Sequence, residues 1–270
     1  MTTRWLPREG LALAAVTVAG LGAFAGPLTV GAASSQPAAL FTGLVATAAI
    51  VLLAIGLQTH HLSTRLLAVL AALVALDATL RLVLVIGLLG FSPIFFLIIV
   101  GGYVMGPSFG FALGSLTLLL SAVLTAGVGP WLPYQMLAAA WVGMGAGYVG
   151  RLCAASTAPG SLALLAVYGC VAGFAYGVLL DLWEWPVFLS GASSPLGWAP
   201  HLALAEMGRR FGAFYLATSL LYDAFRAAGN LLLLALLGMP VIAALARFKR
   251  RFLVDWVPTA NMQGDVGTPA

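Results

Sequence analysis

Four charged residues stand inside otherwise apolar stretches: Asp77, Arg81, Asp223 and Arg226. Asp77 and Arg81 are four positions apart, which puts them on one helix face within pairing reach. Asp223, Arg226 and Asn230 follow at i, i+3 and i+7, again on one face. A charge held in hydrocarbon costs about 2.5–3.5 kcal/mol on insertion scales, so such groups face a bundle interior or water. Two readings follow: polar lining of a ligand cavity, or ion pairs that set helix register. A second set is aromatic and polar. Trp131, Tyr134 and Gln135 lie in the Pro- and Gly-rich stretch 127–135, and Trp183, Glu184, Trp185, Trp198 and His201 lie in 182–208, read as the longest loop.

Few other residues could carry chemistry. There is no HExxH, P-loop, GxSxG or kinase signature, so the chain holds no motif for hydrolysing ATP. His60 and His61 have no Cys or carboxylate beside them to complete a metal site. Cys153 and Cys170 have no metal or redox spacing and read as small apolar residues. Gly143, Gly145 and Gly147 lack the preceding strand that a nucleotide loop needs, and read as a close-packing helix face. No catalytic residue, metal ligand or cofactor is expected.

The elements that must position these side chains are membrane helices. Of 270 residues, 62% are hydrophobic and 7% charged. A soluble domain is nearer half apolar and a quarter charged, so the composition excludes a soluble enzyme and a nucleic-acid-binding module. Apolar runs place eight spans at about 11–32, 38–57, 66–89, 93–105, 108–126, 133–150, 161–180 and 212–237. The first is too long for a signal-peptide core and reads as a retained span. With the N-terminus cytosolic, Arg4, Arg8, Arg65, Arg151, Arg247, Lys249, Arg250 and Arg251 fall on the cytosolic side and only Arg209 and Arg210 outside. Both termini are then cytosolic in a multi-pass protein of the cytoplasmic membrane. Asp181 and Glu184 fall in the outer loop. Trp131, Trp141, Trp183, Trp185 and Trp198 sit towards the outer side, with Trp5 and Trp256 at the cytosolic ends, an asymmetry that points to an outward-facing aromatic pocket.

Two spans have unusual composition. The fourth is short, bounded by Ser92 and Pro93 before it and by Gly101, Gly102, Gly106 and Pro107 at its end. Irregular backbone of this kind is tolerated where it is buried in protein or lines a cavity. The third is rich in alanine: Ala68, Ala71, Ala72, Ala75 and Ala78. Small residues four apart let helices approach closely.

From about Leu66 onward the chain resembles the substrate-binding S component of energy-coupling factor (ECF) vitamin transporters. The resemblance rests on Ser92 and Pro93; on Gly101, Gly102, Tyr103, Met105, Gly106, Pro107, Ser108, Phe109 and Gly110; on Gly129, Pro130, Trp131, Leu132, Pro133, Tyr134, Gln135 and Met136; on Trp141, Gly143, Gly145 and Gly147; and on Asp181, Leu182, Trp183, Glu184, Trp185 and Pro186. It implies an all-α integral membrane protein in which a six-helix core, 61–254, follows an extra N-terminal helix pair, 1–60, and precedes a tail, 255–270. It implies a subunit that is no enzyme. Such a subunit binds a vitamin or precursor from outside and delivers it with a transmembrane coupling subunit and two cytosolic ABC ATPases. The ligand contacts it implies fall on Trp131, Tyr134, Gln135, Trp183, Trp185 and Asn230, alongside Arg81 and Asp223 from the charge pattern. The family's alanine motif for the coupling subunit matches Ala68 and Ala72, or Ala71 and Ala75 in the alternative register. The Gly-Pro-Trp and Leu-Trp-x-Trp-Pro elements point to cobalamin or a related compound. The extra N-terminal pair and the long loop near Trp198 depart from the family pattern.

A different class of function stays open on the residues. A membrane-embedded enzyme acting on a lipid or isoprenoid would use Asp77, Asp181, Glu184 and His201 as acid–base or metal groups. A pure scaffold would use only the alanine and glycine faces.

Overall fold

The computed structural model describes residues 7–30, 63–84, 94–189 and 194–252. All regular structure among them is helical: α1 (Pro7–Val30), α2 (Thr64–Leu84), α3 (Ile94–Met105), α4 (Pro107–Leu124), α5 (Leu132–Leu152), α6 (Pro159–Phe188), α7 (Leu204–Thr218) and α8 (Leu220–Phe252). The segment 38–57, His60, His61, Ser92, Pro93, Trp5 and Trp256 lie outside the described residues. Three of the helices are long and apolar enough to cross a membrane: α4, α6 and the Leu220–Arg251 stretch of α8.

Glycine and proline mark the helix starts. Gly106 has φ +110°, a conformation that costs glycine little, and it turns the chain from α3 into α4 with no intervening loop. Pro107, Pro133 and Pro159 occupy the first turns of α4, α5 and α6, where a missing N–H is no loss.

The short helix α3 runs through the centre. Every side chain from Phe95 to Val100 is buried, and α3 packs on α2, α4, α5, α6 and α8. The tightest crossing joins α4 to α5. A Cβ added at Gly110 would strike the carbonyl of Gly143, one at Gly143 would strike that of Gly110, and one at Gly114 would strike that of Ala139. Gly102 of α3 abuts the same Gly143 carbonyl, and Gly150 of α5 abuts Tyr103. The expected glycine face thus divides. Gly143 and Gly147 make the backbone approach, whereas Gly145 lies under Tyr168, whose hydroxyl donates to the Val142 carbonyl at 2.6 Å.

Basic side chains gather at one end of the bundle. Lys249 Nζ donates to the Val104 carbonyl at the end of α3 (2.6 Å), and Arg151 stacks over the Tyr148 ring. Tyr103 hydroxyl donates to the Ser156 carbonyl nearby (2.7 Å). Helix α3 leads away from this end for only 12 residues, about 18 Å at 1.5 Å per residue, whereas α6 has 30. The far ends of the longer helices therefore rise past the start of α3.

Three boundaries differ from the sequence reading. Helix α6 continues to Phe188, so Asp181 and Glu184 are helical rather than in a loop. The apolar-run criterion stops at a charge, but a carboxylate that receives a hydrogen bond does not stop a helix. Nor is 182–208 one long loop, because Leu204 already begins α7. The stretch 212–237 is not one span: Ser219 separates α7 from α8, and α8 runs on to Phe252 past Pro240.

Candidate functional site

The site is built where α6 meets α8. Gly169, Gly173 and Gly177 form one strip of α6, and each is matched by a residue of α8. Asn230 Nδ2 donates to the Gly169 carbonyl at 2.8 Å, and Arg226 donates to the Gly173 carbonyl at 3.3 Å. The Asp223 carboxylate fills the space where a Gly177 Cβ would sit. One turn further out, Ser219 hydroxyl donates to Asp181 Oδ1 at 2.9 Å. The glycines leave room for polar side chains that a larger residue would displace.

Asp223 is saturated. Its Oδ1 pairs with Arg226, and its Oδ2 accepts from the Tyr215 hydroxyl of α7 at 3.0 Å. The Arg226 guanidinium also lies over the rings of Tyr176 (5.0 Å) and Phe95 (5.9 Å), two cation–π contacts in a buried setting. Phe95 and Tyr176 touch edge to face at 4.8 Å, so the first turn of α3 forms the floor of this end.

Above that floor the aromatic residues divide in two. Trp183 stacks on Tyr134 of α5 at 4.4 Å, and Tyr134 meets Phe24 of α1 edge-on at 5.2 Å. Trp185 points the other way, against Phe211 and Phe214 of α7, and its Nε1 donates to the Leu196 carbonyl at 2.7 Å. Residues two apart on a helix face nearly opposite directions, so the two tryptophans cannot line one surface. Trp198 is buried, with its amide donating to the Leu189 carbonyl at 2.9 Å. Arg210 of α7 ties to the carbonyls of Ser194 and Gly197 and pairs with Glu206. Hydrogen bonds from Arg209 and Arg210 hold the exposed Glu206 carboxyl down at about 2. Burial, helped by the bond to Asp223, pushes the Tyr215 hydroxyl up to about 12.

The candidate residues therefore part company. Tyr134 and Trp183 come together, and Arg226 joins Asp223 to Tyr176. Trp131 is exposed and bonds only its own turn, through Nε1 to the Gly127 carbonyl at 3.1 Å. Gln135 is half-buried beside Tyr134. Asn230 lies deeper, level with Gly169 and Ile99. Asp77 and Arg81 do not pair. Asp77 is fully buried with neither carboxylate oxygen bonded, while Arg81 donates to Ser121 Oγ of α4 at 3.1 Å. Sharing a helix face permits a pair, but the hydroxyl on the neighbouring helix takes the guanidinium instead. Ala68, Ala71, Ala72 and Ala75 all lie on the exposed side of α2, whereas Ala78 is buried. Among the described residues no group of three His, Cys, Asp or Glu is placed to hold a metal ion, and His201 is exposed.

Sequence reasoning missed Ser219, Tyr215, Tyr176 and Phe95. The glycine spacing of four at 169, 173 and 177 was the available signal for the α6–α8 seam. Three buried polar atoms near it have no hydrogen-bond partner: Asp181 Oδ2, Trp183 Nε1 and Asn230 Oδ1.

No protein-family model, curated protein or solved structure matches the chain.

Proposed function

We propose that the chain is the substrate-binding subunit of an ECF-type importer, taking up a vitamin or vitamin precursor, with cobalamin or a related compound as the first choice. In this reading it is a multi-pass protein of the cytoplasmic membrane with both termini cytosolic. Its six-helix core follows an N-terminal helix pair, and a coupling subunit and two ATPases supply the energy.

The observation that carries the reading is the contrast between the two ends of the bundle. The short α3 stops beneath a set of aromatic and charged side chains, Phe95, Tyr176, Tyr134, Trp183, Arg226 and Asp181, while Arg151 and Lys249 gather at the opposite end. Buried apolar walls with a few polar groups are the usual make-up of a small-molecule site. The exposed alanine side of α2 supports the partner assignment, since small residues allow close helix contact.

The test uses the purified chain in detergent. Thermal unfolding and tryptophan fluorescence are recorded with cobalamin, biotin, thiamine, riboflavin and queuosine precursors. One ligand should raise Tm and quench fluorescence saturably. No response to any of them sinks the reading. Ala72→Leu should abolish co-purification with the coupling subunit and leave ligand binding intact.

A further inference from the structure

We infer that helix α1 belongs to the ligand site. Phe24 holds the stacked pair Tyr134 and Trp183 in place, and the pair meets the ligand through the Trp183 indole N–H. The ligand group met there is a hydrogen-bond acceptor, such as an amide carbonyl or a ring nitrogen. The inference rests on the importer reading and deepens it, since it gives the N-terminal region a role in binding.

It starts from the strip by which α1 is seated. Leu13, Val16, Gly20 and Phe24 are buried and recur at i, i+3, i+7 and i+11, while Leu11, Val18 and Leu21 are exposed. Helix α1 packs along α6, and its buried strip reaches α5. A Cβ added at Gly20 would lie 2.5 Å from Leu137 Cδ2 and 2.8 Å from Trp141 Cζ2. One turn on, the Phe24 ring meets Tyr134 at 5.2 Å and Trp141 at 5.7 Å. Helices α5 and α6 are the two that supply the stack, with Tyr134 and Trp183 at 4.4 Å. Phe24, Tyr134 and Trp183 are thus a run of touching rings, each at most 3% exposed. Aromatic pairs have preferred geometries, so Phe24 orients the Tyr134 ring and through it the Trp183 ring.

The polar atoms of this run point to a ligand. Trp183 Nε1 is buried with no hydrogen-bond partner, and so is Nε1 of Trp141, the other ring that Phe24 touches. Trp198 Nε1 is unpaired too, on the segment between α6 and α7 and outside this run. An indole N–H donates and cannot accept. Left unpaired in an apolar setting it costs free energy, and a buried Trp usually finds a partner, as Trp185 does in the Leu196 carbonyl. A ligand acceptor supplies the partner that Trp183 lacks.

The experiment measures dissociation constants of the purified full chain, well below Tm, for cobalamin, biotin, thiamine, riboflavin and queuosine precursors. Trp183→Phe keeps a ring and removes the N–H, so it should weaken binding about two- to tenfold. Phe24→Ala should weaken it by a similar factor, and the milder Phe24→Leu by less. In the Trp183→Phe background Phe24→Ala should add little, because both act through one ring. Leu13→Ala is the control. It truncates a buried side chain on the same strip about 16 Å along the helix from Phe24, so it should lower Tm and leave affinity unchanged. Affinity untouched by both Phe24 variants overturns the inference and leaves the importer reading standing. So does unchanged affinity in Trp183→Phe, the result if the chain itself supplies the acceptor. Additive losses in the double variant, or an equal loss of affinity in Leu13→Ala, overturn it as well. Silence of the parent chain towards the whole panel overturns both.

Discussion

Two seams in this bundle use glycine, and they use it for opposite ends. Between α4 and α5, Gly110, Gly114 and Gly143 bring backbone onto backbone, with carbonyls lying where side chains would begin. Between α6 and α8, Gly169, Gly173 and Gly177 make space that side chains of the partner helix fill: Asn230, Arg226 and Asp223. The first seam gains dispersion contact and needs no hydrogen bonds of its own. The second buries polar groups whose geometry must be satisfied. Glycine spacing in a membrane helix therefore says that something approaches closely, and the facing residues decide what.

The contrast can be broken by substitution, and the largest effect belongs to the polar seam. Asp223→Ala should cost about 3–5 kcal/mol, because it strands the Arg226 guanidinium and the Tyr215 hydroxyl. Thermal unfolding in detergent reads this. Gly143→Ala follows at up to about 3 kcal/mol, an overpacking cost that falls on two backbones and that no rotamer change relieves. Full stability in Gly143→Ala would mean that the α4–α5 contact is looser than described. As a control, Gly22→Ala on α1 meets no atom within 4 Å and should raise stability by about 0.5–1 kcal/mol, since Ala has the better helix propensity.

Smaller changes sharpen the outer edge of the polar seam. Tyr215→Phe keeps the ring and removes one hydrogen bond to a carboxylate already held by Arg226, so about 1–2 kcal/mol is expected. The smallest effect is pH-dependent. The Glu206 carboxyl ordinarily titrates near 4.5 and is held down to about 2 in the folded chain. A depressed acid contributes stability above its unfolded value, and that contribution is lost as pH falls from 4.5 through 2. Glu206→Gln should therefore unfold slightly below the parent at pH 6 and converge with it near pH 2. The exposed position keeps the difference small. A gap that widens on acidification would reverse the assignment.

Much of the helical framework was legible in the chain. Apolar runs located α3, α4 and α5 to within a few residues, because long apolar stretches and proline at a first turn mark helices whatever they pack against. The runs failed at charges. Asp181 looked like a loop residue, yet Ser219 accommodates it inside α6. Ser219 itself carried no sign of a helix break, since the stretch around it is helix-compatible on both sides. The candidate site was legible by residue type and not by grouping. Tyr134 and Trp183 were expected together and stack, whereas Trp131 and Trp185 point elsewhere.

By itself the sequence determined the apolar, helical character of its long runs and the places along the chain where its basic residues collect. Those follow from composition and local sequence pattern, whatever the runs pack against. Only the tertiary structure decided which polar groups are paired. Arg81 turned to Ser121 rather than to Asp77, Asp223 was divided between Arg226 and Tyr215, and Asp181 kept one oxygen free. Pairing depends on the register between helices far apart in the chain, and no local pattern encodes that register.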